Sequence, residues 1–123
     1  MKSDRALVAH LMRRAGFGAT PAELDTLAQE QTYEDIVEDL VNPERFEELD
    51  EAYIDRYYSG EPVALHVGKW LYRMVNTRRP LEEKMALFLH HIFPVAWGKS
   101  EHGPSLYTEI AMFRRVGLMD MKT

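Results

Sequence analysis

The sequence contains no cysteine. This excludes disulfides and thiolate metal sites, and it leaves the redox compartment open, because a cysteine-free chain suits the cytoplasm and the exterior alike. Long hydrophobic runs are missing too, since the longest, residues 85–95, is interrupted by His90 and His91. A membrane-spanning helix needs about 20 apolar residues, so no span is expected. No apolar stretch of signal-peptide length precedes Arg13 and Arg14, so nothing in this chain predicts export.

Strand signals are also absent. No stretch alternates apolar and polar residues convincingly, and no Asn-Gly or Asp-Gly hairpin turn occurs. Helix signals instead mark almost every boundary: apolar residues recur at helical spacing, and Thr20 with Glu23 forms a complete capping box. We therefore predict an all-α bundle or array of about six or seven helices with short capped turns and no sheet. Residues 1–123 are expected to form a single helical domain.

The stretch HLMRRAGFGATPAEL predicts a corner between the first two helices. We expect Ser3 to cap the first helix and Gly16 to end it in the left-handed conformation, with Phe17 packed back on its last turn. Arg13 and Arg14 then interact favourably with the carbonyl end of the helix dipole. The alternative is an anion-binding site formed by Arg13 and Arg14 with free amides at the start of the next helix.

Charge is distributed unevenly along the chain. Residues 23–61 contain 14 acidic and two basic residues, although the net charge of the whole chain is only −5. Such a block is typical of solvated helix faces, and the alternative is an electrostatic docking surface for a basic partner. A helix is predicted after Pro43, with one apolar stripe. The stripe consists of Phe46, Leu49, Tyr53 and Tyr57. Basic residues elsewhere form no stripe, so we expect no nucleic-acid binding.

His90 and His91 are the candidate metal ligands. Neighbouring residues on a helix point about 100° apart, so these two rings cannot converge on one ion as an i, i+4 pair can. We expect one ring to face the core or a partner helix and the other to face solvent. A metal site would need a further ligand from His10, His66 or His102.

Charged residues also surround the turn at Pro80. They are Arg73, Arg78, Arg79, Glu82, Glu83 and Lys84. Ion pairs on helix surfaces explain them, and an arginine pocket for a phosphate, sulfate or uronate is the alternative. The sequence contains no glycine-rich phosphate loop, no nucleophile elbow and no His-Glu-x-x-His motif, so we predict no cofactor.

Four blocks of the sequence resemble, in order and spacing, the N-terminal part of the bacterial domain-of-unknown-function 1800 family. They are HLMRRAGFGATPAEL, WLYRM, PLEEKMALF with HHIF, and FRRVGL. The resemblance implies a largely helical protein several times longer than this chain, often exported, with no established activity. Relatives commonly read Phe-Trp-His-x-His-Phe where this chain has FLHHIF, so a histidine expected beside Phe93 is replaced by Ile92.

These observations predict the N-terminal segment of a larger helical protein, with an interaction or scaffolding role. Its partner would be another protein or the rest of its own longer chain. The alternative is part of a hydrolase or metal-dependent enzyme acting on an exported polymer, with His90, His91, Arg13 and Arg14 nearest the site. A third interpretation is self-association through apolar faces left uncovered.

Overall fold

The computed structural model describes residues 1–56, 62–95 and 103–119. All regular structure in these ranges is helical, as predicted, and none of these helices is long and apolar enough to cross a bilayer. The described ranges contain seven α-helices: α1 (Arg5–Ala15), α2 (Pro21–Glu30), α3 (Tyr33–Val41), α4 (Ala52–Asp55), α5 (Pro62–Asn76), α6 (Pro80–Ile92) and α7 (Gly103–Val116). The prediction of an all-α fold with six or seven helices is therefore confirmed.

Capping boxes begin α2 and α3. The Thr20 hydroxyl accepts a hydrogen bond from the Glu23 amide at 3.3 Å, and the Glu23 carboxylate accepts one from the Thr20 amide at 2.7 Å. The Thr20 amide and the Thr20 hydroxyl both donate to the Glu23 carboxylate, and these two bonds lower the pKa of Glu23. Thr32 and Asp35 form the same reciprocal pair at α3. The predicted box at Thr20 is thus confirmed, and each box satisfies amides that have no partner inside the helix.

The cap of α1 is Asp4 rather than the predicted Ser3. The Asp4 carboxylate accepts from the Ala6 and Leu7 amides in the first turn of the helix, where its negative charge also interacts favourably with the helix dipole. The Ser3 hydroxyl instead donates to the Gln31 carbonyl at 3.1 Å, and the Ser3 amide donates to the Ala28 carbonyl at 3.0 Å. Ser3 therefore joins the N-terminal segment to the end of α2.

A small core lies among the first three helices. Val8 of α1, Leu24 of α2, and Ile36 and Leu40 of α3 form one buried cluster, against which Leu81 of α6 packs. Full burial of such a side chain contributes about 1.5–3 kcal/mol. Helix α6 contacts α1 and α3 as well as α5 and α7, so it connects this core to the C-terminal helices.

Two glycines allow α6 to approach the ends of α1 and α7. A Cβ atom at Gly16 would lie 2.8 Å from the Cβ of Pro80, and one at Gly117 would lie 3.0 Å from the Cβ of Met85. The predicted left-handed conformation of Gly16 is wrong: its φ is −154°, whereas Gly18 has a φ of +95°. Close packing rather than backbone conformation therefore requires a glycine at position 16.

The prediction of a long helix after Pro43 is also wrong. A 3-10 turn spans Pro43–Arg45, Phe46 is extended, and only Ala52–Asp55 forms the short helix α4. The predicted stripe fails as well, because Tyr53 is 58% exposed while its neighbour Ile54 is buried. Tyr57 lies outside the described residues.

Two physical causes keep this segment from forming a longer helix. The Phe46 carbonyl accepts hydrogen bonds from Nε and Nη2 of Arg79, so it is not available for a helical bond. Residues 44–51 also contain five acidic side chains, and like charges three or four positions apart destabilise a helix. A contact from a residue 33 positions away thus replaces local hydrogen bonding.

Candidate functional site

A buried charge cluster lies where α5, α6 and α7 meet. It consists of Glu51, Arg73, Glu83, Tyr107 and Arg114. Glu83 is only 1% exposed, and Arg73 and Arg114 are each 8% exposed. Oε1 of Glu83 accepts a hydrogen bond from Nε of Arg73 at 2.7 Å and lies 2.6 Å from Nε of Arg114. Because an unpaired buried charge is strongly destabilising, these groups depend on one another.

The second carboxylate oxygen of Glu83 binds an aromatic donor. Nε1 of Trp70 donates to Oε2 of Glu83 at 3.1 Å. Trp70 and Arg73 stand three positions apart on α5 and so share the face that meets α6. The Trp70 ring also contacts the His90 ring edge-on, with centroids 5.4 Å apart. Trp70 therefore joins the buried charge cluster to the C-terminal half of α6.

Glu51 closes the other side of the cluster. Its carboxylate pairs with Nη1 of Arg73 and accepts a hydrogen bond from the Tyr107 hydroxyl at 2.8 Å. Burial opposes the charged form of Glu51, but the hydrogen bonds from Arg73 and Tyr107 outweigh it and lower its pKa. Burial and the bond to Glu51 raise the pKa of Tyr107. At neutral pH, Glu51 is thus a carboxylate and Tyr107 its protonated donor.

The lowered pKa of Glu51 predicts a pH dependence of folding. A carboxyl group with a lower pKa in the folded state stabilises the fold above its unfolded pKa and loses that contribution as pH falls through the folded value. As pH decreases below the ordinary pKa of 4.5, the unfolding free energy of the wild type should therefore decrease more steeply than that of Glu51→Gln. Urea titrations between about pH 3 and 7 measure both slopes. Parallel curves of unfolding free energy against pH for the wild type and Glu51→Gln would contradict the prediction. The control variant is Glu48→Gln, which replaces an exposed glutamate.

Arg13 and Arg14 lie in the last turn of α1, and both side chains are exposed. Neither forms an ion pair with another residue in the described part of the chain. The Thr20 hydroxyl already accepts from the Glu23 amide at the start of α2. The anion site at Arg13 and Arg14 stays a prediction.

His90 and His91 diverge as predicted. His90 is half-buried against Trp70, and His91 is exposed. His66 stacks on Tyr107 with ring centroids 4.9 Å apart, and burial and the nearby charge of Lys69 lower its pKa. Among residues 1–56, 62–95 and 103–119, no three His, Asp or Glu side chains lie close enough to hold a metal ion. The metal site at His90 and His91 stays a prediction, and His102 lies outside these ranges.

The buried charge cluster was not predicted from the sequence. Interpreting Arg73 and Glu83 as members of surface ion pairs is wrong, because both are buried. One signal was available: Arg73 lies within the apolar stretch WLYRM, where a charged residue needs a partner if that face is covered. Lys84, the next residue after Glu83, instead donates from Nζ to the Gly16 carbonyl at 3.0 Å and caps α1.

Comparison with known proteins assigns the chain to a family. No curated protein and no solved structure shows significant similarity to it. The sequence profile of the family described as "Protein of unknown function (DUF1800)" matches residues 10–119. The match spans most of the chain and includes every residue of the buried charge cluster. The resemblance seen in the four sequence blocks is therefore confirmed, and the chain belongs to the DUF1800 family of proteins of unknown function.

Proposed function

We propose that this domain is a protein-interaction segment whose apolar groove between α2 and α5 binds an amphipathic helix with basic flanks. The observation that carries the proposal is the exposure of two groove residues, Leu71 (56%) and Val75 (81%). The groove has a volume of about 1030 Å³. Six further lining residues are Met12, Phe17, Ala19, Leu27, Met74 and Pro80. We call this feature the α2–α5 groove.

The shape of the α2–α5 groove suits a helical partner. Leu71 and Val75 stand four positions apart, so they lie on one face of α5. Met12, Phe17 and Ala19, from the corner between α1 and α2, contribute to the groove lining. Amphipathic helices bind such grooves through apolar residues at positions i, i+3, i+4 and i+7. Burial of each leucine or valine side chain contributes about 1.5–3 kcal/mol.

Charge favours basic residues on the partner. Helices α2 and α3 contain seven acidic residues and no basic ones. One of them, Glu23, lines the α2–α5 groove, whereas Arg13 and Arg14 do not. Opposite charges on the partner would speed association and select the correct register. In this proposal, the excess of acidic residues at 23–61 attracts the basic residues of the partner.

A matched pair of peptides tests this proposal. Labelled model helices with identical leucine positions, one with lysine and one with glutamate at the polar positions, are titrated with the protein and followed by fluorescence anisotropy. We expect the Leu/Lys helix to bind more tightly. Leu71→Ser should weaken its binding about tenfold, which corresponds to about 1.4 kcal/mol. The control is Val67→Ser on the same helix, which is 52% exposed but does not line the groove.

Three outcomes would overturn the proposal. One is equal binding of the two peptides, and another is equal weakening by Leu71→Ser and Val67→Ser. The third is a dimer in sedimentation velocity that Leu71→Ser dissociates, because a second copy of the chain would then occupy the groove. Both substitutions replace exposed side chains, so both variants are expected to fold.

A further inference from the structure

A second cavity borders the buried charge cluster, on residues that do not line the α2–α5 groove. This α6–α7 cleft has a volume of about 540 Å³, within the range of small-molecule sites. Both signs of charge line it. The arginines are Arg73, Arg79, Arg114 and Arg115, and the glutamates are Glu48, Glu51 and Glu82.

Two of these arginines already have acceptors. Arg73 is bonded to Glu83 and Glu51. Arg79 donates from Nε and Nη2 to the Phe46 carbonyl. Its Nη1 lies 3.8 Å from Glu82. These two guanidinium groups therefore bind protein acceptors and stabilise the wall of the cleft.

Arg114 differs from both. Its Nε lies 2.6 Å from Oε1 of Glu83, but the N–H bond does not point at that oxygen, so the contact is electrostatic only. Its Nη2 is buried and has no hydrogen-bond partner among residues 1–56, 62–95 and 103–119. The side chain is 91% buried, given its exposure of 9%. A buried donor without an acceptor is destabilising, and such groups in folded proteins are normally satisfied. Because Arg114 lines the cleft, a ligand bound there is the expected acceptor for its guanidinium group.

We infer that the α6–α7 cleft binds the carboxylate of a small hydroxylated organic acid, with the guanidinium group of Arg114 as the principal donor and Arg115 as the second cation. A carboxylate matches the planar donor geometry of a guanidinium group. Glu48 and Glu82 also line the cleft and accept hydrogen bonds from hydroxyl groups of the ligand. The same carboxylates repel a dianion, so a singly charged acid is preferred over a phosphate ester.

Three sugars with the same ring and different groups at carbon 6 test this inference. Glucuronate carries a carboxylate, glucose a neutral hydroxymethyl group and glucose 6-phosphate a dianion. Each is titrated into the whole protein at constant ionic strength, and the arginine Nε–Hε and backbone amide signals are followed by NMR. We expect glucuronate to shift the Arg114 and Arg115 signals, glucose to cause no shift, and glucose 6-phosphate to bind about tenfold more weakly.

Variants assign the binding to Arg114. Arg114→Lys keeps a positive charge beside Glu83 but removes the planar guanidinium donors, so glucuronate should bind at least about tenfold more weakly. If Arg114→Lys does not fold because the position is buried, replacement of the exposed Arg115 by glutamine is the second test. Arg115→Gln should lower the affinity for glucuronate about threefold. The control is Arg13→Gln, which removes an exposed arginine from the similar motif in α1 and should leave binding unchanged.

Other results would overturn the inference. Glucose 6-phosphate binding as tightly as glucuronate would identify a general anion site, and no binding of any of the three sugars would exclude the proposed ligand class. Unchanged glucuronate binding in folded Arg114→Lys would place the site elsewhere.

Discussion

Replacement of Glu83 by glutamine is expected to lower the free energy of unfolding by about 3–5 kcal/mol, the range for breaking a buried ion pair by removal of one partner. The substitution preserves side-chain volume but leaves Arg73 and Arg114 without the carboxylate between them. It also removes the anionic acceptor of the Trp70 indole. Urea denaturation followed by circular dichroism measures the change.

The neighbouring substitution Glu82→Gln is the matched control. Burial raises the pKa of Glu82, so its surroundings already disfavour the charged form. Nη1 of Arg79 lies 3.8 Å from the Glu82 carboxylate, which is a weak ion pair. We expect Glu82→Gln to change the unfolding free energy by less than about 1 kcal/mol. A similar loss in both variants would show that Glu83 has no special role in stability.

Gly16→Asn is expected to destabilise the protein by about 1–3 kcal/mol, because the new Cβ would overpack the contact with α6. That Cβ would stand 2.8 Å from the Cβ of Pro80, whose ring cannot rotate away. Gly18→Asn should have a much smaller effect. Apart from its chain neighbours, no atom of the described residues lies within 4 Å of a Cβ built there, and asparagine tolerates a positive φ better than most residues.

Thermal unfolding of both variants shows at which of the two positions replacement of glycine destabilises the protein more. The predicted order is a lower melting temperature for Gly16→Asn than for Gly18→Asn. The reverse order would mean that backbone conformation, rather than packing against Pro80, makes glycine necessary at position 16. Asparagine suits this comparison because it is the usual non-glycine residue in the left-handed region.

Local signals predicted the parts of the fold whose causes are local. Thr20 and its partner Glu23 are three positions apart, so one short motif defines the start of α2. Helical spacing of apolar residues likewise accounts for α5 (Pro62–Asn76), which contains Val67, Trp70, Leu71 and Met74. Pro94 is a further local signal: proline has no amide to continue a helix, and α6 ends two positions before it, at Ile92. In each case the stabilising contact lies within one or two helical turns.

The errors arose where the cause is distant in sequence. Phe46 is held by Arg79, 33 positions later, so the propensity of the intervening segment did not decide its structure. The need for glycine at position 16 comes from Pro80. The orientation of Arg114 in the candidate site likewise depends on how α5, α6 and α7 meet. The sequence motif FRRVGL shows two arginines but not which of them is buried.

Two adjacent residues of α6 connect distant parts of the chain. Lys84 caps the end of α1 across 68 positions, while Glu83 pairs with Arg73 on α5 and Arg114 on α7. Loss of α6 would therefore expose the N-terminal core and leave the C-terminal charges unpaired at the same time. The chain should unfold cooperatively rather than one end first. Such long-range contacts also slow folding, because the loops that they close must form before the contacts stabilise anything.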